Sequence, residues 1–188
     1  GKSFESLDAQ QLVDLKKLLD DNGMKVACLQ SSLAKSHQPD AEVRKAEAEK
    51  LEGIIRAADA LECRRVRSFY FWQRYEGRQG ALAAQPDQLQ KTMDMFAPLA
   101  DRAKEAGLTL AFENCGTTPD EVLAMLDLMD MPEWGLAWDP HNNWGSEAWK
   151  SGGDAYVQRM ISHSTMLHVK ARYAVEGLTE DLIPYDRI

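Results

Sequence analysis

The chain has 188 residues, 44% hydrophobic and 28% charged, a composition of one ordinary globular domain that excludes disordered, collagen-like and coiled-coil chains. The balance of 22 Lys plus Arg against 30 Asp plus Glu gives a net charge of -8. That disfavours a nucleic-acid groove and an anionic membrane surface, since both need a basic face. Three widely spaced cysteines, Cys28, Cys63 and Cys115, show no C-x-x-C pairing, which argues against a disulfide framework or zinc knuckle and fits a reducing, cytoplasmic location. No apolar run approaches the roughly 20 residues of a membrane helix, and GKSFESLDAQQ lacks the apolar heart of a signal peptide.

Ser6 is placed to cap a first helix, in which Leu12, Leu15 and Leu19 recur at helical spacing before a stop at Asn22-Gly23. The short apolar run MKVACLQ (24–30) predicts a strand. Pro39-Asp40 opens a long second helix with Leu51, Ile54, Ile55, Ala58 and Leu61 on one face, the charged stretch DAEVRKAEAEKLEG forming its solvated side. RVRSFYFW (65–72) is the next strand. Pro86 starts a third helix carrying Leu89, Met93, Phe96, Ala100 and Ala103, Gly107 ends it, and LTLAFEN (108–114) follows. Thr118, Pro119 and Glu121 mark a fourth helix start, before GLAWD (135–139) and a Trp-rich loop. A weaker helix spans about 150–162 and leads into TMLHVKA (165–171).

Strands alternating with helices, several of them apolar without polar alternation, indicate parallel strands covered by helices, an α/β protein. Neither G-x-G-x-x-G nor G-x-x-x-x-G-K-[ST] occurs, so nucleotide binding of those kinds is unsupported. The other common solution, the (β/α)8 TIM barrel, needs about 250 residues; one domain over residues 1–188 with five strands is then an incomplete barrel.

In such a barrel chemistry sits where strands end. The polar residues closing the apolar runs are Glu113, Asp139, and His168 with Lys170, Asp139 lying 26 positions after Glu113 and His168 29 after Asp139. Each interval is about one strand-helix unit, so neighbouring strands present the three side chains at one height. Two carboxylates and an imidazole make a site suited to a divalent Mn, Mg, Co or Zn ion. Such an ion polarises a ketone and its adjacent hydroxyl and lowers the cost of an enediolate.

These residues resemble the xylose isomerase-like TIM barrels, which include sugar phosphate isomerases and epimerases. LAFENCGTTPDEVLAML looks like the family's metal-Glu strand and following helix, WGLAWDPHNN like its metal-Asp strand, and MLHVKARY is similar to its His-x-Lys-Asp segment. CLQSSLAKS and RRVRSFYF are weaker echoes of a Ser-rich loop ending in Lys and a strand carrying Arg. The resemblance implies that the strands here are the third to seventh of eight, the first two and the last being absent. It implies Glu113, Asp139 and His168 as metal ligands and Glu113 as a catalytic residue moving a proton on one face of the substrate. A fourth ligand, a Glu on the eighth strand, would lie beyond Ile188, so the chain by itself is expected to be inactive. Ala171 stands where the family usually has Asp.

The resemblance also suggests that His141 contacts substrate hydroxyls, while Lys170 and Arg172 are suited to a phosphate, carboxylate or hydroxyl of the substrate. Each residue has a plainer alternative: Glu113 paired with a neighbouring Arg, Asp139 starting a turn with Pro140, His168 a core imidazole, Lys170 and Arg172 surface charges. Arg67, inside a strand, needs an anionic partner or a polar barrel interior. Trp138, Trp144 and Trp149 are core residues or faces for a sugar ring, Cys115 is a small hydrophobe, and His37 and His163 are left without a site role.

The expected function is a divalent-metal-dependent sugar or sugar phosphate isomerase or epimerase working through an enediolate, with hydride shift as a variant. A dehydratase of inosose or dehydroshikimate type on the same ion is the main alternative, and a non-catalytic, metal-poor member another. A DNA-repair endonuclease of the same barrel is disfavoured by only 4 His and the net charge of -8. The open strand edges of an incomplete barrel lead to an expectation of self-association, and so of a homo-oligomer.

Overall fold

A parallel sheet grows one strand at a time along the chain. β1 (Leu29–Gln30), β2 (Arg65–Ser68), β3 (Thr109–Glu113), β4 (Gly135–Trp138) and β5 (Ser164–Leu167) lie side by side in sequence order, every neighbouring pair parallel. The structure, a computed structural model, describes residues 3–37, 39–73, 78 and 80–169. Parallel neighbours need crossovers, supplied by α2 (Ala41–Ala60), α3 (Pro86–Glu105), α4 (Pro119–Met129) and α5 (Glu147–Ser162), with α1 (Ala9–Asp21) preceding β1. This is the α/β, TIM-barrel-like arrangement predicted, with five strands among the described residues.

The helix boundaries follow local chemistry. α1 is capped by Asp8, whose side chain accepts from Gln11 N while the Gln11 side chain accepts from Asp8 N. Ser6, the expected cap, instead ends a short turn over Phe4–Ser6. The reciprocal Asp8 and Gln11 pair satisfies two helix-end donors at once, which a lone serine does not. Asp40, Pro86 and Thr118 start α2, α3 and α4 as expected. α5 begins at Glu147, earlier than predicted, because Ser146 accepts from Trp149 N; its helical turns are broken at Gly153, with φ 51°.

Three strands are shorter than their apolar runs by more than two residues. Leu29 pairs with Val66 and Gln30 with Arg67, so residues 24–27 lie before the first residue of β2 and have no strand beside them. In RVRSFYFW only Arg65–Ser68 is strand; Phe69 N and Phe71 N donate to Leu33 O and Ala34 O in the loop after β1. Phe69, Tyr70 and Phe71 are nevertheless buried, so the run marked burial rather than extension. β5 ends at Leu167, although His168 N still donates to Trp138 O at 2.8 Å.

The core lies between sheet and helices. β4 is buried throughout, as is β3 beyond its first residue, the signature of strands covered on both faces. Phe112 sits at its centre, edge-on to Tyr70 and Phe96 with ring centroids at 6.4 and 5.7 Å, and 5.9 Å from Trp134. The three cysteines are free. Among the described residues no helix is long and apolar enough to cross a membrane.

Candidate metal centre

β3 ends on Glu113, Asp139 directly follows β4, and His168 directly follows β5. The ladders bring these three strand ends together, with Glu113 in register with Ala137 and His168 bonded to the Trp138 carbonyl. Glu113 and Asp139 are 2% and 0% exposed. One ligand atom from each of Glu113, Asp139 and His168 lies within 4.8 Å of the others. Metal bonds of about 2.1 Å hold ligand atoms no more than about 4.2 Å apart, so small side-chain rotations would close a shell.

Arg67 finds its anionic partner here. Its Nη1 donates to Glu113 Oε2 at 2.8 Å, while Nε and Nη2 donate to Ser31 O at 3.0 and 2.8 Å. The guanidinium also lies over the Phe69 ring, 5.4 Å from its centroid. Glu113 thus combines the two roles set against each other in the sequence, an ion pair with Arg and a place beside Asp139 and His168. Asn142 Nδ2 stands 3.5 Å from Glu113 Oε1.

Asp139 is likewise both a turn residue and a member of the cluster. Its Oδ1 accepts from His141 N at 3.0 Å, starting the short 3-10 turn Pro140–Asn143. His141 is half-buried in that turn. Lys170 and Arg172 lie outside the described residues. Trp138 is buried, whereas Trp144 is 72% exposed and packs on Trp149 with centroids 4.9 Å apart. Cys115 is half-buried, and His163 is exposed.

The donor set fits a divalent cation. Two buried carboxylates and one imidazole bring hard oxygen donors and a ring nitrogen to one place, the ligand types that such an ion takes. His168 Nδ1 is buried without a hydrogen-bond partner among the described residues, 3.5 Å from Glu113 Oε2. An imidazole nitrogen in that position is available as a ligand.

Asn114 and Glu121 are among the buried polar residues whose role escaped the sequence reading. Asn114 bonds the Asp139 backbone through both ends of its carboxamide; its only local signal was its place next to Glu113. Glu121, expected merely as a helix-start residue, is fully buried. It accepts from Tyr70 Oη at 2.6 Å, Thr117 Oγ1 at 2.7 Å and Leu82 N at 3.0 Å. That network ties the loop after β3 to the segment after β2.

No curated protein matches the chain. Among solved structures, the probable 3-DHS dehydratase AsbF of Bacillus anthracis superposes with a TM-score of 0.66 at 16% identity, over 94% of this chain and 66% of that one. D-allulose 3-epimerase from Methylomonas sp., in complex with D-allulose, gives 0.63 at 22% identity, covering 92% and 63%. A xylose isomerase-like TIM barrel protein from Mycobacterium smegmatis, in complex with magnesium, gives 0.63 at 15%, covering 89% and 58%. The chain therefore spans about three fifths to two thirds of the length of these relatives, and the likeness is one of fold. The sequence profile of the xylose isomerase-like TIM barrel matches residues 2–183, and the chain belongs to that family.

Proposed function

We propose that this chain carries the metal-holding side of a divalent-metal-dependent isomerase or epimerase, acting through an enediolate on a small sugar, sugar phosphate or related polyol ketone. The observation that carries this reading is the convergence of Glu113, Asp139 and His168 at three consecutive strand ends, ligand atoms within 4.8 Å. These three residues hold the ion, with Mn, Mg, Co and Zn as its candidates. A bound divalent cation supplies polarisation of a carbonyl and its neighbouring hydroxyl, which acidifies the intervening C–H. Glu113 moves that proton on one face of the enediolate, while Arg67 keeps the carboxylate aimed. His141, Lys170 and Arg172 contact the substrate's oxygens in this reading.

The test is the metal content of the protein and of its Asp139→Asn variant, by mass spectrometry after dialysis against Mn2+. About one ion per chain, lost in the variant, is expected. No ion in either would overturn the reading in favour of a non-catalytic role. Elimination of water from a cyclic ketone is the second reading, since acidifying a C–H beside a carbonyl serves it equally, and one relative of this fold is described as a probable dehydratase. Product analysis separates the two, because isomerisation conserves mass and elimination releases water.

A further inference from the structure

The backbone ladder between β3 and β4 ends where Glu113 pairs with Ala137. One residue further on, Asn114 continues the pairing with its side chain. Its Oδ1 accepts from Asp139 N at 2.7 Å and its Nδ2 donates to Asp139 O at 3.0 Å. One carboxamide thereby engages both backbone polar groups of a single residue, as the two residues of a hydrogen-bonded antiparallel pair do. Asn114 is 0% exposed, so no water substitutes for either bond.

The orientation of this carboxamide is determined by its neighbours. An N–H can only donate and a carbonyl can only accept, so Asp139 admits one of the two amide orientations. The second Nδ2 hydrogen faces Asn143 Oδ1 at 3.4 Å. That oxygen also accepts from Trp138 Nε1, a donor only, at 3.2 Å, while Asn143 Nδ2 donates to Tyr156 Oη at 3.0 Å. Every bond in the chain Tyr156, Asn143, Asn114, Asp139 agrees on one arrangement.

We infer that Asn114 is a positioning residue that holds Asp139 at the distance from Glu113 needed to share a divalent ion. This rests on the metal-binding reading above. Asp139 lies one residue past the end of β4 and its side chain opens the next turn, so it stands outside the β3–β4 ladder itself. Asn114 directly follows Glu113 in the chain and grips Asp139 by its backbone. Beyond the strand ladder, one buried side chain thus ties the residue after Glu113 to the backbone of Asp139. Leu or Ala in its place makes neither bond, and an ionised Asp has no hydrogen to donate.

The experiment titrates the protein with Mn2+ calorimetrically and with Co2+ by visible absorption, which reports the geometry around the ion. Asn114→Leu, close in size and without polar atoms, is compared with Asn114→Ala and with Leu110→Ala. The last is a cavity variant in the same strand that lowers stability without touching the network. Both Asn114 variants are expected to weaken Mn2+ binding by about 10- to 100-fold and to alter the Co2+ spectrum. Leu110→Ala is expected to lower the Tm but leave affinity and spectrum unchanged. Wild-type protein that takes up neither ion overturns the metal reading and this role with it. Wild-type binding that persists undiminished in either folded Asn114 variant, with the same Co2+ spectrum, overturns the positioning role alone. So does a loss of affinity that follows the fall in Tm equally in Leu110→Ala.

Discussion

Arg67 and Glu113, 46 residues apart in the chain, meet across the β2–β3 ladder with Nη1 2.8 Å from Oε2. Arg67 is in register with Ala111, and Glu113, two residues further along, projects on the same face as Ala111 because strand side chains alternate. The guanidinium therefore reaches up the sheet to the strand end where the carboxylates gather.

Replacing Arg67 by Met removes the cation and leaves a buried carboxylate with less compensation. A loss of about 3 kcal/mol in urea unfolding is expected, the low end for a broken buried pair, because the Arg67 side chain is 21% exposed. Mn2+ should then raise the Tm of Arg67→Met by more than it raises that of wild type, since the ion replaces missing positive charge. An equal rise in both would show that the two charges do not share Glu113.

Alkaline conditions should destabilise the fold through Tyr70. Burial first, then the charge of Glu121, pushes its phenol well above the ordinary 10.0. The unfolded chain ionises from near that ordinary value while the folded one does not. This contribution is complete below about pH 10 and is lost as pH rises toward the folded value. Tyr156, pushed up to about 12 mainly by burial, acts in the same direction. Thermal melts at pH 8 and pH 11 should show a drop that is smaller in Tyr70→Phe. That variant starts from a lower Tm at pH 8, because the bond to Glu121 is worth about 1–3 kcal/mol.

Phe112→Ala empties the centre of the aromatic cluster formed with Tyr70, Phe96 and Trp134. The expected cost is about 3–5 kcal/mol, read as a shift of the urea midpoint. Phe112→Leu, which retains most of the buried volume, should cost clearly less.

At the start of β4, a Cβ on Gly135 would lie 2.5 Å from Thr165 Cγ2 and 3.0 Å from His163 O. Gly135→Ala is expected to cost about 1–3 kcal/mol by overpacking. Thr165→Ser removes the nearest methyl and should recover part of that loss in the double variant, which a double-mutant cycle measures directly. The carbonyl of His163 stays in place, so recovery is incomplete.

Periodicity and end signals are local properties, and the sequence by itself determined what depends on them. The stripe on α3 from Leu89 to Ala103, the caps Asp40 and Thr118, and the alternation of apolar strands with helices together specify a parallel α/β chain. The polar residues closing those strands, Glu113, Asp139 and His168, stood out because each interrupts an apolar run about one strand-helix unit from the next. Whatever depends on which backbones run alongside each other was left to tertiary structure. MKVACLQ is strand only at Leu29–Gln30; β2 begins at Arg65, so residues 24–27 have no residue of β2 beside them. RVRSFYFW is apolar to its end, yet its second half bonds a loop, since burial and extension leave the same mark in composition. The partnerships of Arg67 with Glu113, Asn114 with Asp139 and Tyr70 with Glu121 join residues 46, 25 and 51 positions apart. A buried polar group must find a partner somewhere, but which one is decided only when the register of the sheet sets those strand ends side by side.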